Sequence, residues 1–499
     1  MSSDREKSKS ESVVVEEQEA KPSLLDTIIE DGMRAREDFQ RKSARSMLAE
    51  FVREVAMRDE KTVSKNTVER IQKRIKEIDE LISAQLNEIM HHEDFQKLEA
   101  SWRGLRHLVF QSETGEKLKI RVMNVSKKEL LADFENASEF DQSALWQQVY
   151  EAEYGTFGGS PIGALVGDYE FSNHPQDMAL LEKIAGVAAA AHAPFISAAS
   201  PGMFGWDSFT ELTKVRDLAK IMSTKEYVKW QSFRQSEDSR YVGLCLPHTL
   251  MRLPYGEATN KTETFNFEED VDGKDHKKYL WGNAAYSFAT RLTEAFTHYH
   301  WCVAIRGVEG GGLVQGLPAH TFRTDKGEVA LKCPTEVALT ERRDNEFAEL
   351  GFIPLVHCKD TDYAAFFKAN TPNKPPKFNT AAANANARLS MQLPYIFATS
   401  RFAHYLKVMM RDKIGGFMSR EECERYLNKW IANYISADDM APQSVKAQYP
   451  LREARIDVEE VPGKPGAYRA VAFLRPHFQL DELTVALRLV AELPPPLVK

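Results

Sequence analysis

The chain lacks the features that mark most other protein classes. Its 499 residues hold five cysteines (Cys245, Cys302, Cys333, Cys358 and Cys423) and no CxxC pair. Odd in number, widely spaced and set in apolar runs such as YVGLCLP and HYHWCVAI, they read as reduced core thiols and exclude a stapled scaffold. No window approaches the ~18 uninterrupted apolar residues of a membrane span, and the first stretch, MSSDREKSKSESVVVEEQEAK, is charged where a secretory signal is apolar. A cytoplasmic location is therefore expected. Positive charge is not in excess either: 65 Lys and Arg against 73 Asp and Glu leave a formal −8. With a pI near 6.0 the chain has no global field for gripping nucleic acid.

Catalytic signatures are equally scarce. No GxxxxGK[ST] phosphate loop, GxSxG elbow or HExxH zinc helix occurs. The glycine-rich stretches GTFGGSPIG (155–163) and RGVEGGGLVQG (306–316) do not fit GxGxxG between a strand and a helix, and read as turns or close-packing sites. EEDVDGKDHKKY sets Asp270 and Asp272 before Gly273 but has a tyrosine where a calcium loop needs its bidentate glutamate, so a turn is expected. His91, His92, Glu93 and Asp94 are successive residues of a predicted helix and point in different directions, which denies them a shared metal. His298 and His300 have no acidic pair nearby and read as core or interface side chains. Neither metal nor cofactor is expected.

What is present is an ordinary globular balance, 43% apolar and 28% charged, in a chain long enough for two or three domains. Residues 1–21 are too polar to order alone and predict a disordered tail. Next, PSLLDTIIEDG places Leu24, Leu25, Ile28 and Ile29 on one face of a short helix, with Ser23 as cap and Gly32 as stop. Such a helix either docks on its own domain or is a peptide offered to another protein's groove. A capping box at Asn66–Glu69 opens a long helix whose Val68, Ile71, Ile75, Ile78, Ile82 and Ile89 form a core-type stripe, continuing through HHEDFQKLEASWRGLRHL. From Lys117 to about Asn370, strand-like runs (LKIRVMNV, IGALVGDYEF, PFISAAS, YVGLCLP) alternate with helical ones (SKKELLADFENA, DMALLEKIAGVAAAAHA, DSFTELTKVRDLAKIM opened by Asp207). That alternation predicts an α/β domain with a covered sheet, interrupted by a surface excursion around 250–280. After the boundary TPNKPPKFNTAAANANA, a C-terminal domain from 371 carries a helix through LPYIFATSRFAHYLKVMMRDKIGGF. A second helix is opened by the Ser419–Glu422 capping box, with Cys423, Tyr426, Leu427, Trp430, Ile431, Tyr434 and Ile435 on its apolar face.

Near the end, two strand-like runs, Arg455–Val461 and Tyr468–Arg475, flank a turn built on Pro462, Gly463, Pro465 and Gly466. The second run is apolar on both faces: Tyr468, Ala470, Ala472 and Leu474 on one, Val471 and Phe473 on the other. A lone hairpin is marginal in water and leaves its edges unpaired, so its strands need partners.

Three blocks together resemble a known family: Ser400–Lys407 (SRFAHYLK) with Arg411–Lys413, Leu280–Tyr286 (LWGNAAY), and His477–Pro494. The combination is similar to the large sheath subunit of bacterial type VI secretion systems, the TssC or VipB family, from about Pro22 to Pro496. The resemblance implies a mixed α/β fold like that of phage tail sheaths, with N-terminal helices, a central α/β domain, and a C-terminal domain ending in a hairpin and a terminal helix. It implies a structural, non-enzymatic role: assembly with the small subunit (TssB or VipA) and further copies of the chain around an Hcp tube, contraction, contact with baseplate components, and recycling by a ClpV-type AAA+ unfoldase. It assigns Leu24, Leu25, Ile28 and Ile29 to the unfoldase handle, and Ile456, Val458, Val461, Tyr468, Val471, Phe473 and Leu474 to strand exchange between subunits. The rival reading is an α/β enzyme or nucleotide-binding protein with a non-standard glycine-rich site at 306–316. A third is a soluble adaptor dimerising through its heptad helix.

Overall fold

The computed structural model describes residues 37–57, 67–263, 265, 267–324, 326–414, 416, 419–461, 468–477 and 479. The expected tail at 1–21, the short helix carrying Leu24, Leu25, Ile28 and Ile29, the hairpin turn and the terminal helix lie outside them.

The chain divides into two units, residues 1–78 and 79–499. The first contains α1 (Asp38–Met57) and the start of α2 (Thr67–Met90). The stripe expected to be core is not buried: Ile71, Ile75, Ile78, Ile82 and Ile89 are each more than a third exposed. Nor does α2 run on through the histidine pair. His92 takes an extended conformation and accepts a hydrogen bond from Asp94 N on Nδ1 (3.3 Å), capping a new helix, α3 (Glu93–Phe110). Glu93 and Asp94 sit in its first turn, where carboxylates favour a helix N-terminus.

The second unit is organised around a parallel sheet, β1 (Leu165–Phe171), β2 (Phe195–Ala199) and β3 (Val242–Leu246) with the short β6 (Ile353–Pro354), in the order β1-β2-β3-β6. Every residue of β2 and β3 is buried, as a sheet covered on both faces requires. Alternation assigns the faces. Phe195, Val242, Leu244 and Leu246 join the core of the helix α5 (Pro175–Ala190), where Leu181, Ile184 and Val187 are buried. Ile196 and Cys245 face the core of α7 (Ala284–Tyr299), with Phe288 and Leu292. Gly243 keeps the second face shallow: a Cβ there would come within 3 Å of Ile196, Ile353 and Leu393. The shallow face lets α10 (Leu393–Asp412) start against the sheet.

Two sequence-predicted elements are absent. LKIRVMNV (118–125) pairs with no strand. Ile120 packs beside Leu108, Tyr286 and Ala289, and Val125 O accepts from Tyr169 Oη (2.6 Å), so side chains rather than a ladder hold the segment. The helix expected from Asp207 is split into a 3₁₀ turn at Phe209–Lys214 and a helix at Leu218–Met222. Ser208 Oγ caps the first and Asp217 Oδ1 the second (3.0 Å to Lys220 N), while Phe209 N donates to Glu336 Oε1 (3.0 Å).

The excursion at 251–280 is closed at its base by β4 (Thr249–Leu250) pairing antiparallel with β5 (Trp281–Gly282). Asp272 Oδ1 accepts from the backbone of Lys274 and Asp275, so the acidic run is a side-chain-capped turn. Arg252 fastens the excursion to α3: its guanidinium makes two bonds to Glu269 (2.5 and 3.0 Å) and one to Glu99 Oε1 (2.8 Å), with Arg252 and Glu269 both buried. On the other side of α3, Gly104 sits against Tyr286 of α7, where any Cβ would fall 2.3 Å from the ring.

Helices α4 (Lys127–Asn136), α6 (Val228–Gln235) and α8 (Glu341–Glu349) belong to the central part, and the C-terminal part holds α9 (Ala381–Leu389), starting within the expected boundary, then α10, and α11 (Arg420–Ile431) opened by the predicted Ser419–Glu422 capping box. The SRFAHYLK block explains itself in α10. His404 Nε2 donates to Ala191 O (2.9 Å), Lys407 Nζ to Tyr150 Oη (3.0 Å) and Arg411 Nη1 to Thr156 O (2.8 Å), pinning α10 to the central sheet domain. Burial pushes the His404 pKa down to about 4, so the ring is neutral and Nε2 keeps its proton for Ala191. In LWGNAAY, Asn283 caps α7 through Ala285 N (2.8 Å) and donates to Tyr169 O (3.0 Å), joining α7 to β1.

Candidate assembly interface

The hairpin has the predicted form. Strand β7 (Leu451–Glu460) begins four residues earlier than expected, and β8 (Tyr468–Pro476) ends one later. They pair antiparallel with Ile456 opposite Ala472 and Val458 opposite Ala470, in a sheet of two strands.

One face is covered by the protein itself. Ile456 and Val458 are fully buried with Phe402 of α10 and Cys423, Leu427 and Ile431 of α11, and Tyr468, Ala470, Ala472 and Leu474 pack on the same cluster. The opposite face is not. Phe473 is 52% exposed, under the guanidinium of Arg455 at 5.0 Å, and Val471 is half-buried beside it. Arg475 faces Glu453 (3.5 Å), and Arg469 lies opposite Glu459. Ion pairs this exposed contribute ~0–1 kcal/mol, so the outer face is held by little. Val461 follows the end of β7 at the margin of the described residues. Of the residues expected in strand exchange, Ile456, Val458, Tyr468 and Leu474 thus share the inner face, and Val471 and Phe473 the outer.

The two edges differ. Ile456 gives its N–H to Asn428 Oδ1 (3.0 Å) and its carbonyl takes Asn428 Nδ2 (2.6 Å), while Val458 N donates to Glu424 Oε2 (3.3 Å). Leu451 is bridged by Ile435, and its carbonyl accepts Ser436 N (2.9 Å). Both outward groups of Ile456, the N–H of Val458 and the carbonyl of Leu451 are therefore engaged by α11 and the chain after it. In an antiparallel pair the backbone groups alternate between the partner and the far side. Since Ile456 and Val458 point away from β8, their partners Ala472 and Ala470 point away from β7, toward the outer edge of β8. No described residue pairs there.

The base of the hairpin is anchored. His477 N donates to Pro450 O (3.3 Å), Tyr395 Oη donates to His477 O (3.1 Å) and accepts from Gln479 N (3.1 Å), and Arg306 Nε donates to Gln479 Oε1 (2.7 Å). Sequence reasoning missed Asn428, Glu424 and Arg306. The available signal was Asn428 itself, an amide beside Leu427 in the interior of an amphipathic helix.

The chemistry expected of the rival reading is not assembled in the glycine-rich loop. Gly307 N donates to Phe366 O (2.7 Å) and Gly312 N to Gly307 O (2.8 Å), so these amides are spent inside the loop. A Cβ on Gly311 would lie 2.2 Å from Ala304 O, which makes the glycines close-packing residues. His298 sits in the last turn of α7 and His300 is its left-handed cap (φ 64°). Among the described residues no group of His, Cys, Asp and Glu could hold a metal, and no helix is long and apolar enough to cross a membrane.

A polar cluster forms around His248 and the buried Glu336. His248 bonds Glu336 on one ring nitrogen and Glu170 (2.9 Å) on the other, and Glu336 also takes His276 (3.0 Å) and Ser208 Oγ (2.8 Å). Burial opposes charge on His248, but the two carboxylates outweigh it and push its pKa up to about 10. The ring N–H groups of His248 and His276 in turn hold Glu336 below the usual carboxylate range against its own burial. An unfolded histidine loses its proton near 6.5 and the folded one keeps it to about 10, so this contribution is complete below pH 6.5 and fades as pH rises toward 10. Thermal melts should show wild type losing on the order of 5 kcal/mol over that window, and His248→Gln much less. Equal slopes for the two would refute the pairing.

Comparison with known proteins matches most of the chain. Residues 72–373 match the VipB family model, described as EvpB/VC_A0108, tail sheath N-terminal domain, and residues 382–493 match VipB_2, the tail sheath gpW/gp25-like domain. The chain is 52% identical over 445 residues to the type VI secretion system sheath protein TssC1 of Pseudomonas aeruginosa PAO1, covering 88% of this chain and 89% of that one. Among solved structures it aligns with the baseplate of the anti-feeding prophage (9% identity, 63% of this chain and 66% of that one, TM-score 0.34). It also aligns with the contracted helical sheath of that particle (10% identity, 62% and 66%, TM-score 0.31).

Proposed function

The chain belongs to the tail-sheath family of type VI secretion as a large sheath subunit, a structural rather than catalytic role, and from that premise we propose how it assembles and is recycled. It pairs with the small sheath subunit, repeats in a helical lattice around an Hcp tube docked on baseplate components in the cytoplasm, and contracts to drive the tube outward. The observation that carries this reading is the hairpin: two strands with one face covered, an outer edge on β8 that no described residue pairs, and a half-exposed phenylalanine. Extended arms of neighbouring subunits complete the sheet, because backbone bonds hold register while the flanking turns absorb rotation between subunits. Contraction then needs no cofactor, since a metastable lattice stores free energy in many repeated contacts, each on the order of 1 kcal/mol.

Electron microscopy of the chain co-expressed with its small subunit tests the assembly. Tubular sheaths are expected, and a monodisperse complex that never polymerises would count against it. Nucleotide binding by the purified chain would instead favour the rival enzyme reading.

Recycling is assigned to the handle helix with Leu24, Leu25, Ile28 and Ile29. An apolar face hidden in the extended sheath and offered after contraction gives the unfoldase a differential affinity, which is what can direct disassembly. Leu25→Asp or Ile29→Asp should leave assembly intact and reduce ClpV-type binding at least tenfold in a pull-down on contracted sheaths. Normal disassembly of either variant sheath would remove the assignment.

A further inference from the structure

We propose that Asn428 and Glu424 act as a strand mimic that closes the β7 edge of the free subunit, so that the first strand from a neighbour enters at β8. This rests on the strand-exchange reading above. The Asn428 carboxamide presents the same donor and acceptor pair that a neighbouring strand would present to Ile456, at 2.6 and 3.0 Å. Its second amide hydrogen goes to Glu424 O (2.9 Å), so both donors and the acceptor are used and the amide is locked in one orientation. Glu424 Oε2 continues the mimic at Val458 N, one strand repeat further along. An unpaired edge beside an apolar face is an aggregation hazard, and occupying it from within removes half of that hazard before assembly. A strand arriving at β7 must displace the amide; one arriving at β8 displaces no described residue.

The chemistry of the β8 entrant follows from the face it extends. Arg469 and Arg475 flank Val471 and Phe473 on the outer side, and Ala470 and Ala472 present short side chains inward. The fitting segment is extended, with apolar residues beside Val471 and Phe473 and acidic residues beside the two arginines on the same face.

The test is residue-resolved hydrogen exchange on the full chain, kept soluble by an N-terminal fusion, and on the same chain assembled with its small subunit. In the free chain the amides of Ile456 and Val458 should exchange at least tenfold more slowly than those of Ala470 and Ala472, and assembly should slow the latter pair at least tenfold. Asn428→Ala should speed Ile456 at least tenfold, whereas Asn428→Asp, which keeps the acceptor, should stay within about threefold of wild type. Slow amides in α5 certify that each variant has folded. Unchanged Ile456 exchange in Asn428→Ala would overturn the mimic. Ala470 and Ala472 amides equally fast in the free chain and the sheath would instead overturn strand entry at β8.

Discussion

Ala472→Pro is expected to abolish sheath assembly and leave the subunit folded. Ala472 faces Ile456 across the hairpin, and because Ile456 turns both backbone groups to Asn428, the Ala472 N–H points away from β7. Proline there removes a donor that no described residue uses and puts its ring on the outer edge of β8, where an entering strand would lie. The subunit should lose roughly 1 kcal/mol or less, whereas every lattice contact made through that edge is broken at once. Sheaths counted by electron microscopy should fall at least tenfold, with a circular dichroism spectrum and melting temperature close to wild type. Val471→Pro is the contrast. Val471 lies opposite Asp457 in the pair that bonds inward, so proline at that position should unseat the hairpin itself. Sheaths of normal length from Ala472→Pro would show that the edge is not used.

The second large effect is at Arg252. Its guanidinium is the bidentate partner of Glu269, whose side chain is 1% exposed and also accepts from Tyr255 N (2.8 Å). Arg252→Met leaves that carboxylate buried with only the Tyr255 amide and the His91 ring (3.3 Å) beside it, which costs about 3 kcal/mol or more. It also cuts the tie to Glu99, so the excursion should loosen from α3, seen as faster amide exchange at 253–263. Because the cost comes from the orphaned charge, adding Glu269→Gln should restore most of the lost stability. A double variant no more stable than Arg252→Met would show that packing of the guanidinium, and not the pairing, carries the effect.

Much of this was legible beforehand where a local rule decides. The Ser419–Glu422 box, the apolar stripe of α11 and the two strand runs of the hairpin each depend on neighbours within a few residues, and each is where it was expected. Two of the errors share one cause. LKIRVMNV has strand composition, but a strand needs a backbone beside it; what lies beside Val125 is the Tyr169 hydroxyl. The stretch from Asp207 has helical spacing, but Glu336, more than a hundred residues away, takes the amide of Phe209. The helix through His91 and His92 looked continuous because a histidine cap is a weaker signal than serine or aspartate. For the interface, the residues that form the faces could be named, but the residue that separates the two edges, Asn428, could not.

From its sequence alone the chain was determined to be a mixed α/β protein without catalytic or metal-binding signatures, similar to the sheath family and ending in a hairpin that needs partners. The similarity rests on the quoted residue blocks, and the other properties follow from periodicity, capping and motif spacing, which act over short stretches of chain. The tertiary structure decided which hairpin face is covered, which edge remains open, and which helices are tied to the central sheet. Those outcomes depend on hydrogen bonds between residues far apart in sequence, such as Asn428 with Ile456, Arg252 with Glu99 and His404 with Ala191, and no local pattern encodes the meeting of such pairs.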